Sequence, residues 1–145
     1  MKIFIACSKH FYDRIVPIKE KLEAEGHIIT LPNSFEEPMA EERFKEMSKE
    51  EHVKWKNMMM RLHEKNIKPQ DAMLVLNFEK KGIPNYIGGA TFMEVIKAWE
   101  FKQKIFFYNP IPNCCFTDEL NGMSPIVING DLSKIQGEGV KNDTQ

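Results

Sequence analysis

DAMLVLNFEKKGIPNYIGGATFMEVIKAWEFKQKIFFYNPIP, residues 71–112, runs from an apolar segment through a glycine-bearing loop and a helical stretch to a second apolar segment. Residues 72–76 are apolar without interruption, which marks a strand covered on both faces rather than one with a wet side. A helix is expected from about residue 91 to 103, with Val95, Ile96 and Trp99 as its buried stripe. Residues 105–108 form the next strand. A strand, a crossover helix and a second strand make one parallel unit, and the remaining elements are placed around it.

Upstream, residues 2–7 (KIFIAC) are a short β-type run, and residues 27–31 (HIITL) are another, closed by Pro32 and Asn33. Between them, Ile15, Ile18 and Leu22 recur at helical spacing before Gly26, a helix-stop residue. Residues 36–65 are heavily charged, with Phe44, Met47, Val53, Trp55 and Met58 to Met60 among the charges. They predict one long helix or two shorter ones, with Pro38 suited to a helix start. Residues 125–129 (PIVIN) are a last, shorter strand, and the polar end from residue 137 is expected to be disordered. The expected fold is therefore α/β: a flavodoxin-like three-layer α/β/α domain over residues 1–136. Its five-stranded parallel sheet is expected in the order 2-1-3-4-5.

A chain of 145 residues with 42% hydrophobic and 28% charged residues suits a single globular domain. The net charge of -1 argues against nucleic acid as the main partner, since such domains carry a basic excess. No apolar run approaches the roughly 20 residues of a membrane span. The apolar run at the start is followed at once by charges and reads as a first strand, not a signal peptide. Cys7, Cys114 and Cys115 do not make a disulfide framework and fit a reducing cytoplasm. Adjacent cysteines also lack the spacing that wraps a zinc ion, so no metal is expected.

In such a sheet, ligands bind beyond the carboxyl ends of the strands, where loops meet helix N-termini. The segment YIGGATFME (residues 86–94) falls there. Gly88 and Gly89 permit a close backbone approach, and Tyr86 and Glu94 flank them. Thr91-x-x-Glu94 is also the spacing of a capping box, so the carboxylate has a structural reading beside the functional one. The glycines match neither a P-loop nor a dinucleotide fingerprint. Ser8, Lys9 and His10 follow the first strand at the same edge, where they suit a phosphate or sugar, or a simple helix cap. Asn77, with Glu79, opens the glycine-bearing loop and is a candidate for the same cleft. Asp71 begins its strand, about 20 Å from the far end of a six-residue strand, and reads either as a turn residue or as a catalytic acid. His52 and His63 sit on the charged helical region and read as exposed side chains. Met58 to Met60 suit packing or an oligomer contact.

The opening KIFIACS and the segment from DAMLVLN through YIGGATFMEVIKAWEFKQKIFFYNPIP resemble the nucleoside 2-deoxyribosyltransferase superfamily. That group includes the deoxynucleoside 5′-monophosphate N-glycosidases, and the resemblance is best to its uncharacterised bacterial and archaeal branch. It implies cleavage or transfer at the N-glycosidic bond of a (deoxy)nucleoside or its 5′-monophosphate, with no cofactor. Glu94 matches the family's nucleophile, Ala98 the small residue one turn later, Asp71 an acid that opens the third strand region, and Ser8 a substrate contact. Phosphate recognition falls to Ser8, Lys9 and the Gly88–Gly89 backbone. The family also implies a homo-oligomer. The chain departs from the transferase pattern at Gly88, where transferases carry an acidic or amide residue, at Ile96, where glycine is common, and at Lys102–Gln103, where Gly-Lys is usual. A nucleotide-binding module without turnover and a structural assembly protein are the other classes these features allow.

Overall fold

The computed structural model describes residues 1–137; the end of the chain from residue 138, part of the segment expected to be disordered, lies outside the described residues. Five strands, β1 (Lys2–Ala6), β2 (Ile28–Thr30), β3 (Ala72–Val75), β4 (Lys104–Phe107) and β5 (Ile126–Val127), form one all-parallel sheet in the order β2-β1-β3-β4-β5. Register is continuous across its centre, with Ile3 opposite Ala72 and Ala72 opposite Lys104. This is the expected architecture and strand order.

Two-residue periodicity distributes the central strands between two cores. Ile3, Ile5, Leu74 and Phe106 face α1 (Ile15–Ala24), whose Ile15, Ile18 and Leu22 pack there as the sequence spacing predicts. Phe4, Ala6, Met73, Val75, Ile105 and Phe107 face the opposite layer, with Val95 and Ala98 of α4 (Gly89–Glu100) and Leu120 of α5 (Thr117–Gly122). Because both faces are covered, neither core alternates with solvent, and truncating one central residue such as Leu74 to alanine costs ~2–5 kcal/mol. Gly26 ends α1 with φ +93°, and its N–H bonds back to Glu23 O at 2.9 Å. A side chain there would be strained.

The charged region is two helices. α2 (Ala40–Met47) stops at Ser48, which has extended backbone and whose Oγ accepts from the Glu51 N–H at 3.0 Å. Ser48 is thus the N-cap of α3 (Lys49–Ile67), and Glu50 and Glu51 complement the helix dipole in its first turn. Pro38 precedes the α2 N-cap, Met39, rather than occupying the first helical turn. Together α2 and α3 enclose a small satellite core of Ala40, Trp55 and Met59.

Some local expectations are corrected. Trp99 is 52% exposed, and Ala98 takes the buried place beside Val95 in the α4 stripe. The helix over residues 117–122 was not foreseen, and the edge strands are shorter than their apolar runs. Among the described residues, no helix is long and apolar enough to cross a membrane.

Candidate functional site

The carboxyl ends of β1 and β3 open into a cleft of about 420 Å³, between the first turns of α4 and one face of α3. Glu94 lies at its base. With Gly88 as N-cap, Thr91 is already the third residue of α4 and Glu94 belongs to the second turn, so the two do not form a capping box. The carboxyl is instead one side of a buried pair of positions, with Thr91 3% and Glu94 5% exposed. Burial pushes the Glu94 pKa up to about 8, so the group is protonated at neutral pH.

Three groups close around this carboxyl. Cys7, at the end of β1, is pushed up to about 12 by burial and by the Glu94 charge, and is an inert thiol. Tyr12, in the 3₁₀ turn spanning Lys9–Arg14, is raised by burial and by its neighbours Cys7 and Glu94. His63 Nε2 stands 3.9 Å from a Glu94 carboxyl oxygen. The expectation that His63 is an exposed helix residue is wrong. Its Nδ1 is buried without a hydrogen-bond partner, and burial, then the Lys56 charge, lowers its pKa to about 4. At neutral pH the contact joins a neutral imidazole and a neutral carboxyl, so it is not an ion pair.

Trp55, Met59 and His63 recur every fourth residue on α3, which places an aromatic ring, a thioether and an imidazole on the cleft wall. Lys56 joins them and holds Glu41 of α2 at 2.8 Å, while His52 Nε2 meets the same carboxylate at 2.9 Å. Burial would raise Glu41, but the hydrogen bonds from Lys56 and His52, with the charges of Lys56 and Lys45, hold it at about 2. His52 is therefore a structural partner of α2 and not a free surface residue.

Of the residues expected in the site, Ser8, Lys9, His10, Tyr86, Gly88, Gly89 and Glu94 all line the cleft. Ser8 Oγ accepts from the His10 N–H at 3.4 Å, which makes it the cap of the 3₁₀ turn, and Lys9 pairs with Glu42. His10 is lowered by desolvation and by the charges of Lys80, Lys9 and Lys81; of these four basic residues Lys9 and His10 line the cleft. Lys80 Nζ sits 4.5 Å from the centroid of the Tyr86 ring. A Cβ on Gly88 would meet the Tyr86 hydroxyl at 3.2 Å, so the tyrosine tip would have to give by a few tenths of an ångström.

Two expected site residues lie elsewhere. Asp71 is exposed at the opposite end of β3, where its carboxylate accepts from the Lys2 N–H at 2.8 Å and ties β3 to β1. Its role is strand pairing, as an acid at a strand entry also allows. Asn77 is fully buried and clamps two strand ends: its amide donates to Asn109 O and Pro110 O, each at 3.0 Å, and its Oδ1 accepts from the Asn109 N–H at 2.8 Å. It does not line the cleft, and neither does Glu79. Conversely, Tyr12, Trp55, Lys56, Met59 and His63 were not foreseen. The 55-59-63 spacing was the available signal for three of them.

No family model and no curated protein matches the chain. Among the described residues, no group of three or more His, Cys, Asp and Glu side chains is placed to hold a metal ion. The arrangement is a buried, protonatable carboxyl beside a neutral imidazole, with an apolar and aromatic wall and with Lys9 and His10 among the lining residues. Chemically it can donate or accept a proton at Glu94 and present a poorly solvated carboxylate once that proton leaves.

Proposed function

We propose that this cleft cleaves or transfers at the N-glycosidic bond of a (deoxy)nucleoside or its 5′-monophosphate, with Glu94 as the nucleophile. The observation that carries the reading is the Glu94 carboxyl, buried at the base of a cleft at the carboxyl edge of the sheet. The resemblance of KIFIACS and YIGGATFME to the deoxyribosyltransferase superfamily supports it. So does a cleft volume within the range of small-molecule sites. On this reading Trp55 and Met59 receive the base, and Ser8, Lys9 and His10, with the Gly88–Gly89 backbone, receive a 5′-phosphate. The expected cytoplasmic setting and homo-oligomer belong to the same proposal.

Ionised Glu94 attacks C1′ as the bond to the base breaks, and its charge stabilises the oxocarbenium character of the transition state. Water or a second base then attacks C1′ from the opposite face and releases the sugar with net retention, by the logic of retaining glycosidases. Because only the carboxylate is nucleophilic, Glu94 must give up its proton within the cleft before it attacks C1′. No cofactor is needed for this chemistry.

The protonated state of Glu94 at neutral pH, with glycine at position 88, favours a second reading: a nucleotide-binding module without turnover. Incubating the protein with deoxynucleosides and their 5′-monophosphates, with and without a second free base, separates the two. Base release read by chromatography supports the first, and its dependence on the added base distinguishes transferase from hydrolase. A raised melting temperature without base release supports the second.

A further inference from the structure

We propose that His63 is the acid–base residue of this cleft, taking the proton from Glu94 and handing it to the departing base. The inference rests on the N-glycosidic reading above and assigns the proton-transfer role that Asp71, at the wrong end of β3, cannot fill.

Geometry supports it first. His63 projects from the third recurrence of the Trp55–Met59–His63 face of α3, so it lies on the same wall as the side chains assigned to the base. Its Nε2 is 3.9 Å from the Glu94 carboxyl, close enough for a small side-chain rotation to make the hydrogen bond. Its Nδ1 is a buried nitrogen with no partner in the protein. A buried polar atom left without a partner is costly, and a ligand group or water reaching it would relieve that cost. The charged and titratable groups that line the cleft with it are Glu94 from α4, Cys7, Lys9, His10 and Tyr12 from the end of β1 and the turn after it, Lys56 on α3 and Glu41 on α2, and of these Glu94 is the carboxyl beside its Nε2. Cys7 and Tyr12 are both held protonated, and Glu41 is committed to Lys56 and His52. Glu94 is left as the group that exchanges a proton with His63.

The cycle then balances. The Glu94 proton passes to His63, giving a carboxylate and an imidazolium. A bond forms between the carboxylate oxygen and C1′ as the C1′–N bond breaks. The imidazolium proton goes to the base nitrogen that takes the bonding electrons, so the base leaves neutral and His63 returns to neutral. In the second half, His63 removes a proton from water as its oxygen attacks C1′, and the C1′–carboxylate bond breaks. The proton then returns from His63 to Glu94. Burial and the Lys56 charge, which make the imidazolium a strong acid, suit it to protonating a weakly basic leaving group.

The test compares a purine deoxynucleoside 5′-monophosphate with its N7-methylated counterpart, whose base departs without taking a proton. In single-turnover assays of base release at pH 8, where about half of Glu94 is ionised without help and the later attack of water does not enter the rate, His63→Gln should lose about 100-fold or more on the ordinary nucleotide while staying within a few-fold on the methylated one. His63→Asn, assayed alongside with circular dichroism as a check on folding, should show the same split. Equal losses on both substrates would make His63 structural, and no loss on either would remove it from the reaction. Both results overturn the proposal while leaving the N-glycosidic reading intact. Should the wild-type protein cleave neither nucleotide, that reading falls and the role of His63 falls with it.

Discussion

Replacing Glu94 with glutamine removes a group that the folded protein keeps protonated well above its ordinary range. The native value of about 8 lies above the unfolded value of 4.5, so between these limits the folded protein holds a proton that the unfolded chain releases. Stability tied to Glu94 is thus fully present below pH 4.5 and is lost as pH rises through about 8. The whole shift corresponds to about 5 kcal/mol, and about 3 to 4 kcal/mol of it falls between pH 5 and pH 8. Glutamine carries no titrating proton, and its own cost in the pocket does not vary with pH. Urea unfolding of the wild-type protein and Glu94→Gln, at pH 5, 6, 7 and 8 with m-values compared, isolates the effect because all other titrating groups are shared. The stability of the variant relative to wild type should climb by roughly 3 kcal/mol or more across that series. A difference that stays constant with pH would mean that Glu94 ionises freely in the folded protein, and the burial argument for this site would be wrong.

Asp71→Asn should leave turnover unchanged, and Asp71→Ala should lower stability by about 1 kcal/mol, because the carboxylate serves only the Lys2 N–H; a large loss of kcat in Asp71→Asn would return it to the site. Asn77→Ala should cost about 3 kcal/mol by leaving the Asn109 and Pro110 backbone groups without their partner. Calorimetry should show that loss with KM unchanged, and a raised KM with normal stability would contradict the placement of Asn77 outside the cleft.

The architecture was legible because the central strands bury both faces, which leaves uninterrupted apolar runs such as residues 72–76 and forces helical crossovers between them. Edge strands β2 and β5 pair on one side only, so their apolar runs overstate their length. Glu94 and the glycine-bearing loop were legible from their place after β3. Other side chains were ambiguous for physical reasons. A histidine on a charged helix reads as solvated unless its face is known, and the face of His63 is set by how α3 packs beside α4. Asn77 follows a strand as a cleft residue does, yet Asn109 follows the neighbouring strand at the same level, and the two strand ends satisfy one another. Asp71 precedes its strand, and a residue there faces the edge of the sheet away from the ligand side. Trp99 falls at an apolar spacing on α4, but the buried face of that helix passes through Val95 and Ala98 and leaves the ring at the surface.

The central claim is that a buried carboxylate on α4 does the bond-breaking chemistry, and comparing base release by Glu94→Ala with that of the wild-type protein tests it most directly. With circular dichroism unchanged, the variant should lose about 1,000-fold or more on every deoxynucleoside or 5′-monophosphate that the wild-type protein cleaves. Wild-type turnover that survives in Glu94→Ala would contradict the claim, since the cleft would then be cleaving the bond without the residue at its base.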